Sequence, residues 1–157
     1  MLQRATPTIR ELLSYRLHQV ANLLSRGAEM RYRREFGVSL WEWRTVALLG
    51  GAGEPQSLND LSRAAGVDKG QMSRVVSGLT KRKIIFRETD ANDGRGIRLS
   101  LTRSGKKLYR HLIGAAAERN SAFLGCLTPK ERECLEQAMT KLAREARNFI
   151  QQEKQAR

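Results

Sequence analysis

Between Ser57 and Leu101 the apolar pattern changes from helical to alternating within one short stretch, and few folds accommodate that change. Ser57, with Asp60 three places on, opens a short helix whose Leu58, Leu61 and Ala65 share a face, and Gly66 stops it. Asp68 caps a second helix that runs to about Lys83. Its Met72, Val75, Val76 and Leu79 fall on a single stripe. Ile84, Ile85 and Phe86 then begin a strand that Arg87 to Thr89 extend. Residues 90–96 read as a turn by composition, and Ile97, Leu99 and Leu101 alternate with Arg98 and Ser100. A short helix, a glycine turn, a longer helix and a hairpin describe a helix-turn-helix followed by a β wing.

The flanks are helical. Thr8 and Glu11 form a capping box ahead of Leu12, Leu13, Leu17, Val20, Leu23 and Leu24, which predicts one helix to about Arg34, ending before Gly37. Ser39 and Glu42 open another, with Trp43, Val46, Ala47 and Leu49 on the buried side and Gly50, Gly51, Gly53 and Pro55 ending it. Thr102 starts a long helix to about Gly125, striped by Leu108, Leu112, Ile113 and Ala116. Thr128, Pro129 and Glu131 start the last, which carries Leu135, Met139, Leu142, Ala146, Phe149 and Ile150. The expected fold class is therefore mainly α with a small β-hairpin wing: a winged helix-turn-helix with long N- and C-terminal dimerisation helices. Residues 37–102 form the reading domain, and 1–36 with 103–157 the helical dimerisation region. The terminal helices hold more apolar residues than so small a head can cover, which predicts a homodimer.

Charge indicates the partner. The 157 residues carry a net charge of +13. Residues 58–110 alone hold 13 Lys or Arg against 5 Asp or Glu. A basic excess concentrated on a helix-turn-helix predicts double-stranded DNA. With the stripe of the second helix buried, its opposite face presents Gly70, Gln71, Ser73, Arg74, Ser77 and Lys81, with Lys69 in the first turn and no carboxylate among them. Arg74 can fork onto a guanine edge and Gln71 can pair with adenine. Ser73, Ser77 and Lys81 suit phosphates, Gly70 allows close backbone approach, and the helix N-terminus attracts phosphate. In the hairpin tip, Arg95 between Gly94 and Gly96 suits a narrow minor groove, with Asp93 placed to orient it.

Other classes fit poorly. No phosphate-binding loop, paired carboxylates or nucleophile–base set is visible, so neither catalytic residues nor a cofactor is expected. His18 and His111 stand far apart and the two cysteines form no CxxC, so no metal site is expected. No apolar run approaches the roughly 18 residues of a membrane span. Scarce cysteine without a signal peptide predicts a cytoplasmic protein, and Cys126 and Cys134 read as buried, inert thiols. The alternatives are a non-specific architectural DNA binder and a redox-responsive regulator acting through Cys126 or Cys134.

Several strings resemble the MarR family of transcription regulators. They are Trp43-Arg44, the run from Leu61 to Lys69, Ser73-Arg-Val-Val76, Asp90 to Arg95, and Leu101-Thr-Arg-Ser-Gly105. The family's wing commonly carries a further Arg where Gly94 stands, so Arg95 is the minor-groove residue carried over. The resemblance implies an obligate homodimer on a pseudo-palindromic operator, and a repressor released by a small phenolic or aromatic carboxylate. The implied pocket lies between the dimer arms and the reading head, where Tyr15 and His18 on the first helix and Trp41 and Arg44 on the second are the candidate lining. Peroxide-sensing relatives place a cysteine in the first helix; this chain has none there.

Overall fold

A computed structural model describes residues 6–89 and 96–156. It divides into two compact units, Met1–Ile113 and Gly114–Arg157.

The first unit begins with a single 3-10 turn, Ile9–Glu11, followed by α1 (Leu13–Phe36). The sequence pattern predicts one continuous helix here, and the chain instead breaks at Leu12, which is extended. The capping box explains the break. Glu11 folds back to accept the Thr8 amide (2.7 Å) and closes one turn, and the Leu12 carbonyl then accepts the Arg16 amide (3.1 Å) to begin α1 afresh.

Next come α2 (Leu40–Ala52), α3 (Leu58–Ala65) and α4 (Lys69–Lys81). Each has a side-chain cap: the Ser39 hydroxyl takes the Glu42 amide, the Ser57 hydroxyl the Asp60 amide, and the Asp68 carboxylate the Gln71 amide. The turn between α3 and α4 is locked twice, because the Ser62 hydroxyl donates to the Val67 carbonyl (2.8 Å) and the Val67 amide donates to the Ser62 carbonyl (3.1 Å). Gly66 sits between them at φ 69°, a left-handed conformation that other residues adopt only at a cost.

The sheet has three strands rather than the two of the predicted hairpin. β1 (Gln56–Ser57), β2 (Ile85–Thr89) and β3 (Ile97–Leu101) run in the order β1-β3-β2, all antiparallel. Ile85 faces Leu101 and Thr89 faces Ile97, while Gln56 faces Leu99. A two-residue strand has no period of its own, so no local pattern announces β1. The core of this unit gathers Tyr32, Val38, Val46, Leu61, Met72, Val76, Leu79, Ile85, Leu99 and Leu112, all buried. Tyr32 of α1 meets Trp43 of α2 with ring centroids 5.0 Å apart. Ala47, Leu58, Ala65 and Val75, expected inside, are only half-buried, and Ile113 is exposed.

α5 (Arg103–Gly125) begins in the first unit and ends in the second, which continues as α6 (Pro129–Gln155). Thr128 and Glu131 form the predicted capping box, and Arg132 donates to the Leu124 and Leu127 carbonyls at the end of α5. No residue of α6 is buried. Cys126 and Cys134 are both free and exposed, which corrects the expectation of buried thiols. One lies in the turn before α6 and the other on α6 itself, all of whose described residues are exposed.

Candidate nucleic-acid interface

α4 turns its faces as its pattern requires. Met72 is 0% exposed and Val76 1%, whereas Lys69, Gly70, Arg74 and Lys81 are exposed and Gln71, Ser73 and Ser77 are half-buried. Leu79 completes the buried stripe. Gly70, Arg74, Ser77 and Lys81 are three or four residues apart, so they form one line along the outer face. That line carries two cations and no carboxylate.

The N-terminus of α4 is less open to phosphate than the bare sequence suggests. The Asp68 carboxylate already takes the Gln71 amide at 2.8 Å, and a methyl group added at Gly70 would come within 3.1 Å of the same carboxylate. A cation that the sequence reading passed over joins the surface instead. Arg87 of β2 donates to the Ser77 hydroxyl at 3.2 Å, bringing a third guanidinium or ammonium group beside the outer face of α4. Strand alternation from the buried Ile85 would have pointed to it, since Arg87 lies on the same side of β2. Asp93 and Arg95 lie outside the described residues.

At the start of α3 the Ser57 hydroxyl donates to Asp60 at 2.7 Å and holds its carboxyl below the usual carboxylate range, with Arg63 and Arg98 acting in the same direction. Asp60 therefore stays ionised, where it favours the helix N-terminus. At the exit of α4 the chain turns through Lys83 at φ 58°, and its carbonyl accepts the Thr102 hydroxyl at 2.7 Å. The same hydroxyl takes the Gly105 amide at 3.0 Å, so Thr102 both caps α5 and fastens it to the end of α4.

The candidate ligand residues are only partly brought together. The Arg44 guanidinium lies 4.8 Å from the Trp41 ring centroid and donates to Ser25 of α1 at 3.2 Å. Tyr15 and His18 lie about 15 and 10 Å farther back along the α1 axis from Ser25. His18 is exposed and pairs with Asn22 (2.8 Å). A cavity of about 290 Å³ beside Arg44 is lined by Trp43, Ala47, Leu48, Ala64 and Ala65. A larger one, about 590 Å³, lies between the end of α2, the outer face of β2 and β3, and the first turns of α5, with Phe86, Lys106, Tyr109 and Arg110 in its wall. Among the described residues no cluster of His, Cys, Asp or Glu is placed to hold a metal ion, and no helix is long and apolar enough to cross a membrane.

A short helix locked through a glycine turn to a second, with an antiparallel sheet at its exit and a basic outer face, defines a winged helix-turn-helix of the transcription-regulator class. Residues 36–96 match the profile of the MarR family. The structure is similar to a MarR/EmrR family transcriptional regulator from Acinetobacter sp. ADP1, at 27% identity and TM-score 0.82, covering 90% of this chain and 99% of that one. It is also similar to AbsC, a MarR family transcriptional regulator from Streptomyces coelicolor (23% identity, TM-score 0.78, 91% and 98% covered). The fold of MepR from Staphylococcus aureus, solved as a complex with DNA, matches at 23% identity and TM-score 0.75, covering 85% and 98%. Residues 36–96 thus carry the winged helix-turn-helix profile of the MarR family, and the similar structures named here are those of transcription regulators.

Proposed function

We propose that this protein is a sequence-specific regulator of transcription that reads double-stranded DNA with α4, as a homodimer on a pseudo-palindromic operator. The observation that carries this reading is the phase of α4: Met72, Val76 and Leu79 are buried, and Arg74 and Lys81 stand on an outer line of the helix that carries no carboxylate. In this reading Arg74 and Gln71 contact base edges. Lys69, Ser73, Ser77 and Lys81 hold phosphates, joined by Arg87, and Gly70 gives clearance. Arg95, oriented by Asp93, enters the minor groove. Residues 37–102 are the reading domain, and 1–36 with 103–157 form the dimerisation region. A DNA-bound regulator with two free cysteines fits the reducing cytoplasm.

Unpartnered apolar rows support the dimer. Leu13, Leu17, Val20 and Leu24 lie exposed along α1, and Leu135, Met139, Leu142, Phe149 and Ile150 along α6. A two-fold pair of reading helices would then sit about 34 Å apart, one turn of DNA.

The regulator acts as a repressor that a small aromatic carboxylate or phenol releases. Trp41 and Arg44 offer a ring face and a guanidinium to such a ligand, and Tyr15 and His18 of α1 join them in the assembled dimer. If a panel of aromatic acids, titrated into the protein–operator complex, never lowers DNA affinity, this part is wrong. The exposure of Cys126 and Cys134 supports a second reading, redox control of the same regulator, which unchanged affinity after peroxide treatment eliminates.

Selection of bound duplexes from a random pool tests the main reading. A palindromic consensus is expected. An affinity ratio near one between selected and random duplexes at fixed salt would instead mark an architectural binder.

A further inference from the structure

Glu42 serves two helices at once. One of its oxygens accepts the Ser39 amide at 2.8 Å and closes the capping box of α2. The other accepts the Arg82 guanidinium at 2.9 Å, from a residue 40 positions on. Arg82 is the first residue after α4, and the chain next turns through the left-handed Lys83. One turn further along α2, the fully buried Thr45 directs its hydroxyl to the Trp41 carbonyl (2.8 Å) and to the Met72 sulfur (3.5 Å), near the start of α4. α2 therefore holds α4 at both ends, at points about 15 Å apart along its axis. The buried stripe of α4 holds it against the core, and two polar contacts at that separation add a constraint on its direction. The pairing also occupies Arg82, which would otherwise be a loose cation at the end of the reading helix.

We propose that the Glu42–Arg82 pair is a positioning contact that fixes the angle of α4 against DNA, and that it contributes to discrimination between sequences without touching a base. The inference rests on α4 being the reading helix. Glutamine at position 42 still satisfies the capping box but gives up the charge, so Glu42→Gln loosens α4 while leaving Arg82 in place. Arg82→Met keeps most of the stem and removes the charge, and Arg82→Lys keeps charge and reach.

The test measures affinity for a duplex selected by the parent protein and for a random duplex, across a salt series. Glu42→Gln and Arg82→Met should each lower the selected-to-random ratio by about three- to tenfold. Arg82→Lys should restore most of it, and the double variant should be no worse than the poorer single one. Glu42→Gln should bind random DNA as well as the parent or better, because it frees a cation. If Arg82 is instead an ordinary phosphate contact, Arg82→Met will weaken both duplexes alike and flatten the salt slope by about 0.9, and Glu42→Gln will leave the ratio unchanged. That result overturns the positioning role while leaving α4 as the reader. A parent protein that binds all duplexes equally overturns the reading-helix assignment, and the positioning role with it. Should either single variant fold poorly, the ratio for the other decides between the two roles.

Discussion

Lys83 and Gly105 show how much a single residue contributes where α4 meets α5. Lys83 holds φ at 58°, where an L side chain crowds its own backbone, because the Ile84 amide must reach back to Leu79 (2.9 Å) while the Lys83 carbonyl meets Thr102. Lys83→Gly is therefore expected to raise stability by about 1 kcal/mol in urea unfolding, net of the extra freedom of glycine in the unfolded chain. Gly105 is the opposite case. A methyl group there would overlap the Ile84 carbonyl oxygen and crowd Leu101, so backbone would have to move. Gly105→Ala should cost about 3 kcal/mol or more by the same measurement. On the outer face, Arg74 is exposed, so its removal should leave stability unchanged. The expected effect of Arg74→Ala is a loss of about 1–3 kcal/mol in operator binding and relaxed preference at one base pair, read by competition with single-site operator variants. Equal binding by parent and variant at every position would remove Arg74 from the list of readers.

At the scale of the element, α6 carries its own start signal in the capping box of Thr128 and Glu131. Glu131 accepts the Thr128 amide and hydroxyl, each at 2.8 Å, and these bonds hold its carboxyl below the ordinary range. With the folded value depressed, the unfolded chain takes up the proton first as pH falls. The stabilisation is thus complete above the ordinary glutamate value of about 4.3 and disappears as pH drops through the lower folded value. Glu131→Gln retains the box at neutral pH but has no proton to gain. Its helical circular dichroism should therefore decline less steeply with acid than that of the parent, and identical acid profiles would show that the carboxylate does not govern the end of α6.

At the scale of the molecule, the chain leaves two apolar rows exposed, one on α1 and one on α6, and such rows are poorly tolerated unless covered. Leu17→Glu and Phe149→Glu should each shift the sedimenting species from dimer towards monomer. Operator affinity should fall much further than affinity for random DNA, since a monomer reaches only one half-site. A variant that remains dimeric would exclude its row from the interface. The charge excess predicts steep salt dependence for both kinds of DNA, with the log-affinity slope scaling at about 0.9 per phosphate contacted.

Nearly all of the helix-turn-helix is legible in the sequence, because capping residues, apolar periods and glycine stops act within a few residues of one another. Ser39, Ser57, Asp68 and Thr128 cap where their sequences predict, and Met72, Val76 and Leu79 go inside. Contacts between distant segments were not legible. The two residues of β1 become a strand only because β3 supplies their partners. Thr45 is a polar residue whose burial is explained only once Met72 lies against it, and Glu42 looks like a simple cap until Arg82 arrives from 40 residues away. Local patterns decide what each segment becomes. Only packing in three dimensions, which brings together groups with no sequence relation, decides how α4 is held and which cations stand beside it.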